Sequence, residues 1–327
     1  MMTDSRLCNN RGYALVMDGR MEEARAELEA AVRKDQQNYV ALTNLGYVLS
    51  REGKLDEAVL AYQKALGINP SYAVAHNNLG LAYGEKGLFD KARCAYEDAI
   101  RYDPAYAVAY LNLAQLLHLR GELTEAEDCY GKYLKLRPSD TQALYNLGVI
   151  ALKRGMLERA GSFFWQIRRL DQNHADAGVN LAAVLMRRQQ PQQAIALLQE
   201  VIARNPEHLL ARYNIAQAYA ATGDLPAAAT ELETILNRDP SVLQAANNLA
   251  LIYRELGQAR KALSLLESQA VRFPQNVTVQ YNLGILHTDL GQKSDARRHF
   301  RKVVELEPQG SRRSTMARQA MDAVVGA

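Results

Sequence analysis

The chain repeats itself every 34 residues, nine times, without an insertion or deletion. Gly12, Gly46, Gly80, Ala114, Gly148, Ala182, Ala216, Ala250 and Gly284 each stand 34 apart, and so do Ala24, Ala58, Ala92, Ala126, Ala160, Ala194, Ala228, Ala262 and Ala296. A period of this length marks a stack of small units, each touching only its neighbours. It overrides the prior of about two compact domains that the length alone suggests. The expectation is one elongated array, whose long continuous surface suits recognition better than chemistry in a closed pocket.

The frames run 5–38, 39–72, 73–106, 107–140, 141–174, 175–208, 209–242, 243–276 and 277–310. In the third, AVAHNNLGLAYGEKG places Ala75, Leu79 and Tyr83 on one helical face. Gly87 suits the left-handed conformation that ends a helix. FDKARCAYEDAIRYDP then sets Ala92, Tyr96, Ala99 and Ile100 at helical spacing; Asp90 is expected to cap the first turn and Pro104 to stop the helix. Each frame therefore reads as two antiparallel helices joined by a tight turn, and the class is all-α. Gly or Ala at the eighth and Ala at the twentieth position let the two helices approach closely. Leu45, Leu79, Leu113, Leu147, Leu181, Ile215, Leu249 and Leu283 form one large column. Tyr62, Tyr96, Tyr130, Phe164, Leu198, Leu232, Leu266 and Phe300 form another. These fill the gaps between units, so stability must come from stacked neighbours.

The order Leu-Gly, Tyr, Ala, aromatic, Ala, Pro resembles the tetratricopeptide repeat over residues 5–310. The resemblance implies a right-handed α-solenoid of nine helix-turn-helix repeats, with the first helix of each on the concave surface. Residues 311–327 lie outside the period, and RSTMARQAMDAVVGA, with Met316, Ala320 and Val324 four apart, reads as one more helix. By resemblance it is a C-terminal cap. Arg11, where Leu recurs, suits a solvent-facing first unit. Departures are few: Gln36 and Gln172 replace Pro, Gln189 replaces the turn glycine, and Gly178 stands where bulk is usual. The fifth-to-sixth junction is expected to be the least regular.

Asn stands at the sixth position of every frame: Asn10, Asn44, Asn78, Asn112, Asn146, Asn180, Asn214, Asn248 and Asn282. Asn is a mediocre helix former, so helix stability does not explain the column. An amide carries both donors and an acceptor and can pair with a peptide backbone. A row of them could hold an extended chain without reading its sequence. The array is similar to that of O-linked N-acetylglucosamine transferase, whose inner groove has such an asparagine ladder; the likeness carries over to these asparagines alone. The alternative is that the column tunes helix packing or solvation. Tyr13, Tyr47, Tyr145, Tyr213 and Tyr281, with Val40, Val74, Val108, Leu81, Val149, Leu152 and Ile285, are expected beside the ladder. Such a lining suits an extended peptide or an amphipathic helix. Arg51, Lys153, Arg187 and Arg254 would add a preference for acidic residues. The fifth-position column (Asn9, Thr43, Asn77, Leu111, Tyr145, Val179, Tyr213, Asn247, Tyr281) holds no Lys, which argues against a carboxylate clamp of the chaperone-binding kind.

Trp165 is the one Trp, in a column otherwise made of Glu29, Gln63, Glu97, Gly131, Gln199, Glu233, Glu267 and Arg301. With Phe163 it reads either as a second contact on the outer face, such as one between copies, or as a local repacking that tucks the indole inward. Arg168 in the next, usually apolar column favours the second. Chemistry is not legible. The six histidines (His76, His118, His174, His208, His287 and His299) form no metal-spaced pair, and no phosphate-binding loop or nucleophile motif occurs. No catalytic residue, metal or cofactor is expected. Cys8, Cys94 and Cys129 are too scattered for a disulfide framework, no signal peptide or membrane span is evident, and the net charge is +3; a cytoplasmic protein is the expectation. The basic end, Lys293 to Arg318, has no stacking aromatic besides Phe300, so nucleic acid is not expected. The first functional reading is a non-enzymatic scaffold holding an extended peptide in its groove. The others are a substrate-recruiting array of a glycosyltransferase, which requires a catalytic domain, and a self-assembling module.

Overall fold

In a computed structural model, which describes residues 2–308 and 310–326 and the side chains of 4–308 and 310–323, the chain is all-α and the described residues contain no strand. It divides into two compact units, Met1–Arg154 and Gly155–Ala327. The division falls at the turn inside the fifth frame, one helix before the junction that the sequence singles out.

The first unit holds α1 (Met2–Met17), α2 (Met21–Lys34), α3 (Tyr39–Arg51), α4 (Leu55–Ile68), α5 (Ala73–Glu85), α6 (Phe89–Tyr102), α7 (Ala107–Leu119), α8 (Leu123–Leu136) and α9 (Thr141–Lys153). The second holds α10 (Leu157–Leu170), α11 (Ala175–Arg187), α12 (Pro191–Arg204), α13 (Leu209–Ala221), α14 (Leu225–Arg238), α15 (Leu243–Glu255), α16 (Ala259–Arg272), α17 (Val277–Asp289), α18 (Lys293–Leu306) and α19 (Arg312–Gly326).

The helix ends follow local chemistry. Gly87 takes φ +73° after α5, and the Leu88 N–H closes back on the Tyr83 carbonyl at 2.8 Å. Gln189 occupies the equivalent place after α11 at φ +59°, a conformation that a side chain disfavours. Many first helices begin with a side-chain cap. Asn38 and Asp140 accept from the Ala41 and Ala143 N–H, and His174 and His208 do the same through Nδ1 for Ala177 and Ala211. Asp90 does not cap α6. The cap residue is Leu88, with no side-chain bond, and the Asp90 carboxylate instead pairs with Arg120 of the next repeat.

Three eighth-position glycines sit tightly against aromatic rings, though the pairing is not general: Gly12 faces Leu28, and Ala114 stands opposite Tyr130. A Cβ on Gly46, Gly80 or Gly284 would meet Tyr62, Tyr96 or Phe300 at 2.6 Å. Where the facing residue is Leu198, Leu232 or Leu266, the eighth position carries Ala182, Ala216 or Ala250 instead. Large side chains such as Tyr62 and Phe300 are thereby fully buried between helices. After Pro308, α19 lays Ala317 against Ala296, Phe300 and Val303 of α18, with Ala320 at the edge. The side chain of Val324, expected on the same face, lies outside the described residues.

Within each unit the first helices of successive repeats also touch one another directly. α1 meets α3, α3 meets α5 and α5 meets α7; in the second unit α11 meets α13 and α15 meets α17. Successive second helices have no comparable contact among the described residues. Each stack therefore curves toward its first helices.

Candidate peptide-binding face

One stripe of each first helix is only partly covered by its protein neighbours. It runs through the second, sixth, ninth and thirteenth frame positions, which share a helical face. In the first unit, half-buried Val40, Val74 and exposed Val108 stand at the second position. Asn44, Asn78, Asn112 and Asn146 stand half-buried at the sixth. Tyr47 (38% exposed) and Leu81 (41%) stand at the ninth, with Tyr13 before them and half-buried Val149 after. In the second unit Asn180, Asn214, Asn248 and Asn282 are likewise half-buried, and Leu251 is exposed. A groove of about 250 Å³ lies beside Asn248, lined by Gln217, Leu225, Leu251, Ile252 and Glu255. Each unit thus presents its own row of amides next to apolar side chains.

The amides are tied to the preceding repeat, a feature the sixth-position column alone does not disclose. Asn44 Nδ2 donates to Asn9 Oδ1 at 2.9 Å, Asn112 Nδ2 to Asn77 Oδ1 at 2.8 Å, and Asn282 Nδ2 to Asn247 Oδ1 at 3.1 Å. Asn248 Nδ2 donates to the Tyr213 hydroxyl at 3.0 Å. What stands at the fifth position of the previous repeat decides the bond. Thr43 instead donates to the Tyr39 carbonyl, and Asn78 makes no bond to the previous repeat among the described residues; its Oδ1 accepts from Asn77. Leu111 offers no acceptor, and Asn146 turns to the Tyr130 hydroxyl at 3.0 Å. Val179 offers none either, and among the described residues Asn214 has no hydrogen-bond partner. Asn180 donates to the Asp176 carbonyl one turn back. The doublets Asn9-Asn10, Asn77-Asn78 and Asn247-Asn248 were the sequence signal for this bracing. An amide has two N–H groups and two acceptor lone pairs. One N–H held by the neighbour fixes the amide plane and leaves the rest of the group facing outward.

Electrostatics trims the expected cation set. Arg254 is paired with Asp289 of the next repeat. Lys153 Nζ lies 3.3 Å from His118 Nε2, and burial, then the Lys153 charge, holds the His118 imidazole below its usual range, so it accepts as a neutral ring. Arg51 and Arg187 are exposed and make no ion pair among the described residues. Burial pushes the Tyr130 hydroxyl up to about 12, against the lowering effect of its Asn146 bond, so it stays protonated. Tyr145 is half-buried and Tyr213 is both half-buried and committed to Asn248. Of the candidate tyrosines, Tyr13 and Tyr47 open to solvent.

Phe163 and Trp165 stand on α10, a second helix, away from both amide rows. Phe163 is half-buried and Trp165 is 58% exposed. Arg168, not the indole, turns inward. Among the described residues no three His, Cys, Asp or Glu side chains gather as a metal site, and no helix is long and apolar enough to cross a membrane.

Family models described as tetratricopeptide repeat match residues 77–141, 120–175, 185–252 and 247–311, and one described as TPR repeat matches 51–87. The chain belongs to the tetratricopeptide repeat family. Its fold is typically a non-catalytic interaction scaffold. Among solved structures it is similar to YrrB, described as a TPR protein with an unusual peptide-binding site, at 26% identity over 56% of this chain and 95% of that one, with a TM-score of 0.50. PilW, a type IV pilus biogenesis factor, is similar at 20% identity over 64% of this chain and 96% of that one, TM-score 0.53. The Naa15/Naa10 complex bound to HypK-THB is similar at 16% identity and TM-score 0.51; the match spans 99% of this chain and 55% of that one. The last two likenesses show the fold alone. A search of curated proteins gave no match.

Proposed function

We propose that this tetratricopeptide repeat chain is a non-enzymatic scaffold that holds an extended segment of a partner protein along the open stripe of its first helices. The observation that carries the reading is that stripe itself. Braced amides alternate with uncovered Tyr47 and Leu81 in one unit and with Leu251 in the other, on the side toward which each stack curves. The amides would take backbone N–H and C=O groups in turn, and the apolar positions would select side chains. YrrB supports the reading, because a peptide-binding site is described in that protein.

Asn214 gives the cleanest test because among the described residues it has no hydrogen-bond partner. Peptides selected by display against the full chain are titrated against Asn214→Ala and Leu251→Ser. The expected result is affinity about ten-fold weaker for each variant, with the melting temperature unchanged, since a lost ligand hydrogen bond or apolar contact is worth about 1–1.5 kcal/mol. Selected peptides that bind both variants as tightly as the parent would refute the groove.

A further inference from the structure

A second surface lies on the other side of the second unit, between α10 and α12, in a groove of about 480 Å³. Trp165 forms one wall, and Leu181, Leu185 and Leu197 line the base. Two departures from the repeat, Arg168 and Gly178, build it together. Arg168 replaces the apolar residue of its column and is mostly buried; its Nη2 donates to Glu200 Oε2 at 2.7 Å. Gly178 makes room for it, because a Cβ there would lie 3.1 Å from Arg168 Nη1 and 2.6 Å from Val201 Cγ2. The Gln172 carbonyl accepts from Arg204 at 2.7 Å and from Arg168 at 3.4 Å. Arg204 also grips the second oxygen of Glu200 at 2.9 Å. One carboxylate is thus shared by two guanidinium groups. Arg169, exposed on the same groove, makes no ion pair among the described residues. The site is positive, with an uncovered indole and an aliphatic base.

We infer that this groove docks an acidic segment of a partner protein, with a leucine or similar side chain against Trp165 and a carboxylate on Arg169. Charge complementarity selects that occupant. A second copy of this chain would bring another positive groove, with its own exposed Arg169, against this one, which is unfavourable. An exposed Trp beside Arg is also the pairing that anchors protein contacts most often. The surface is separate from the amide stripe, so the two stand or fall independently.

Trp165 is the one tryptophan of the chain, so intrinsic emission reports this groove directly. The probe is a short synthetic peptide alternating glutamate with leucine, added to the full chain at low salt. A saturable blue shift is expected, with none from the matching lysine–leucine peptide. Arg169→Glu should weaken binding about ten-fold while leaving the circular dichroism spectrum unchanged. Trp165→Ala, followed by anisotropy of a labelled peptide, should weaken it similarly, and Asn214→Ala should leave it unaltered. No shift with the acidic peptide, or equal binding of the basic one, would overturn the inference. So would a shift that follows protein concentration alone together with dimers in sedimentation, which would make a second copy the occupant.

Discussion

At the scale of single residues, the amide column does two jobs that the sequence states with different clarity. That every frame carries Asn was plain; that Asn44, Asn112 and Asn282 lean on Asn9, Asn77 and Asn247 was not, because the partner stands 35 residues away in a column that varies from Asn to Leu. The distinction has a measurable consequence. Asn112→Ala removes a cross-repeat bond and unpairs half-buried and buried groups, so it should lower stability by about 1 kcal/mol. Asn214→Ala removes no hydrogen bond among the described residues and should leave stability within about 0.5 kcal/mol of the parent. Denaturant titration of the two variants separates them; equal losses would show that the column serves packing alone. Trp165 illustrates the opposite limit. Its column pointed outward, while Arg168 beside it suggested repacking inward. Composition could not decide between them, since the answer depended on Gly178 making space for a guanidinium.

At the scale of elements, the helix pairs were legible almost throughout, because the period fixes helix, turn and helix before any propensity is consulted. What stayed hidden was capping. Asp90 is a good capping residue by type, but it sits inside the first turn and serves an ion pair with Arg120. The close fit of Gly80 to the Tyr96 ring makes a sharper forecast. Gly80→Ala should gain about 1 kcal/mol in helix propensity, yet it must displace the buried Tyr96 ring, at about 1–3 kcal/mol. The net result should be a loss of stability. Adding Tyr96→Leu should lift the clash in the way the chain itself pairs Ala182 with Leu198. Thermal melts would check both, and a double variant no more stable than Gly80→Ala would disprove the fit.

The α17–α18 pair carries a pH response. His299 Nδ1 donates across to Gln280 Oε1 at 2.7 Å, and the ring stacks on His287 at 5.2 Å. Burial, then the neighbouring His287, holds His299 down to about 4; Arg298 and Lys302 act in the same direction, and Asp295 opposes them. A histidine whose folded pKa lies below its unfolded value near 6.5 favours the fold in its neutral form. That contribution is complete above about pH 6.5 and is lost as pH falls toward 4. Melting followed from pH 7 to 5 should show a decline that His299→Gln reduces; an identical decline in the variant would assign it elsewhere.

At the scale of the molecule, the period predicted one array, and the chain divides into two compact units inside the fifth frame. The division leaves each unit with its own curved stack and its own open stripe. Repeat arrays bury their large columns against neighbours and have little left with which to build a closed pocket. The proposed peptide-binding role therefore rests on the uncovered first-helix faces. A photo-crosslinking residue placed at Leu81, on the stripe of α5, or at Leu60, equally uncovered on α4, tests it most directly with a display-selected peptide. Capture from Leu81 and not from Leu60 is the predicted result, and capture from Leu60 with none from Leu81 would contradict it.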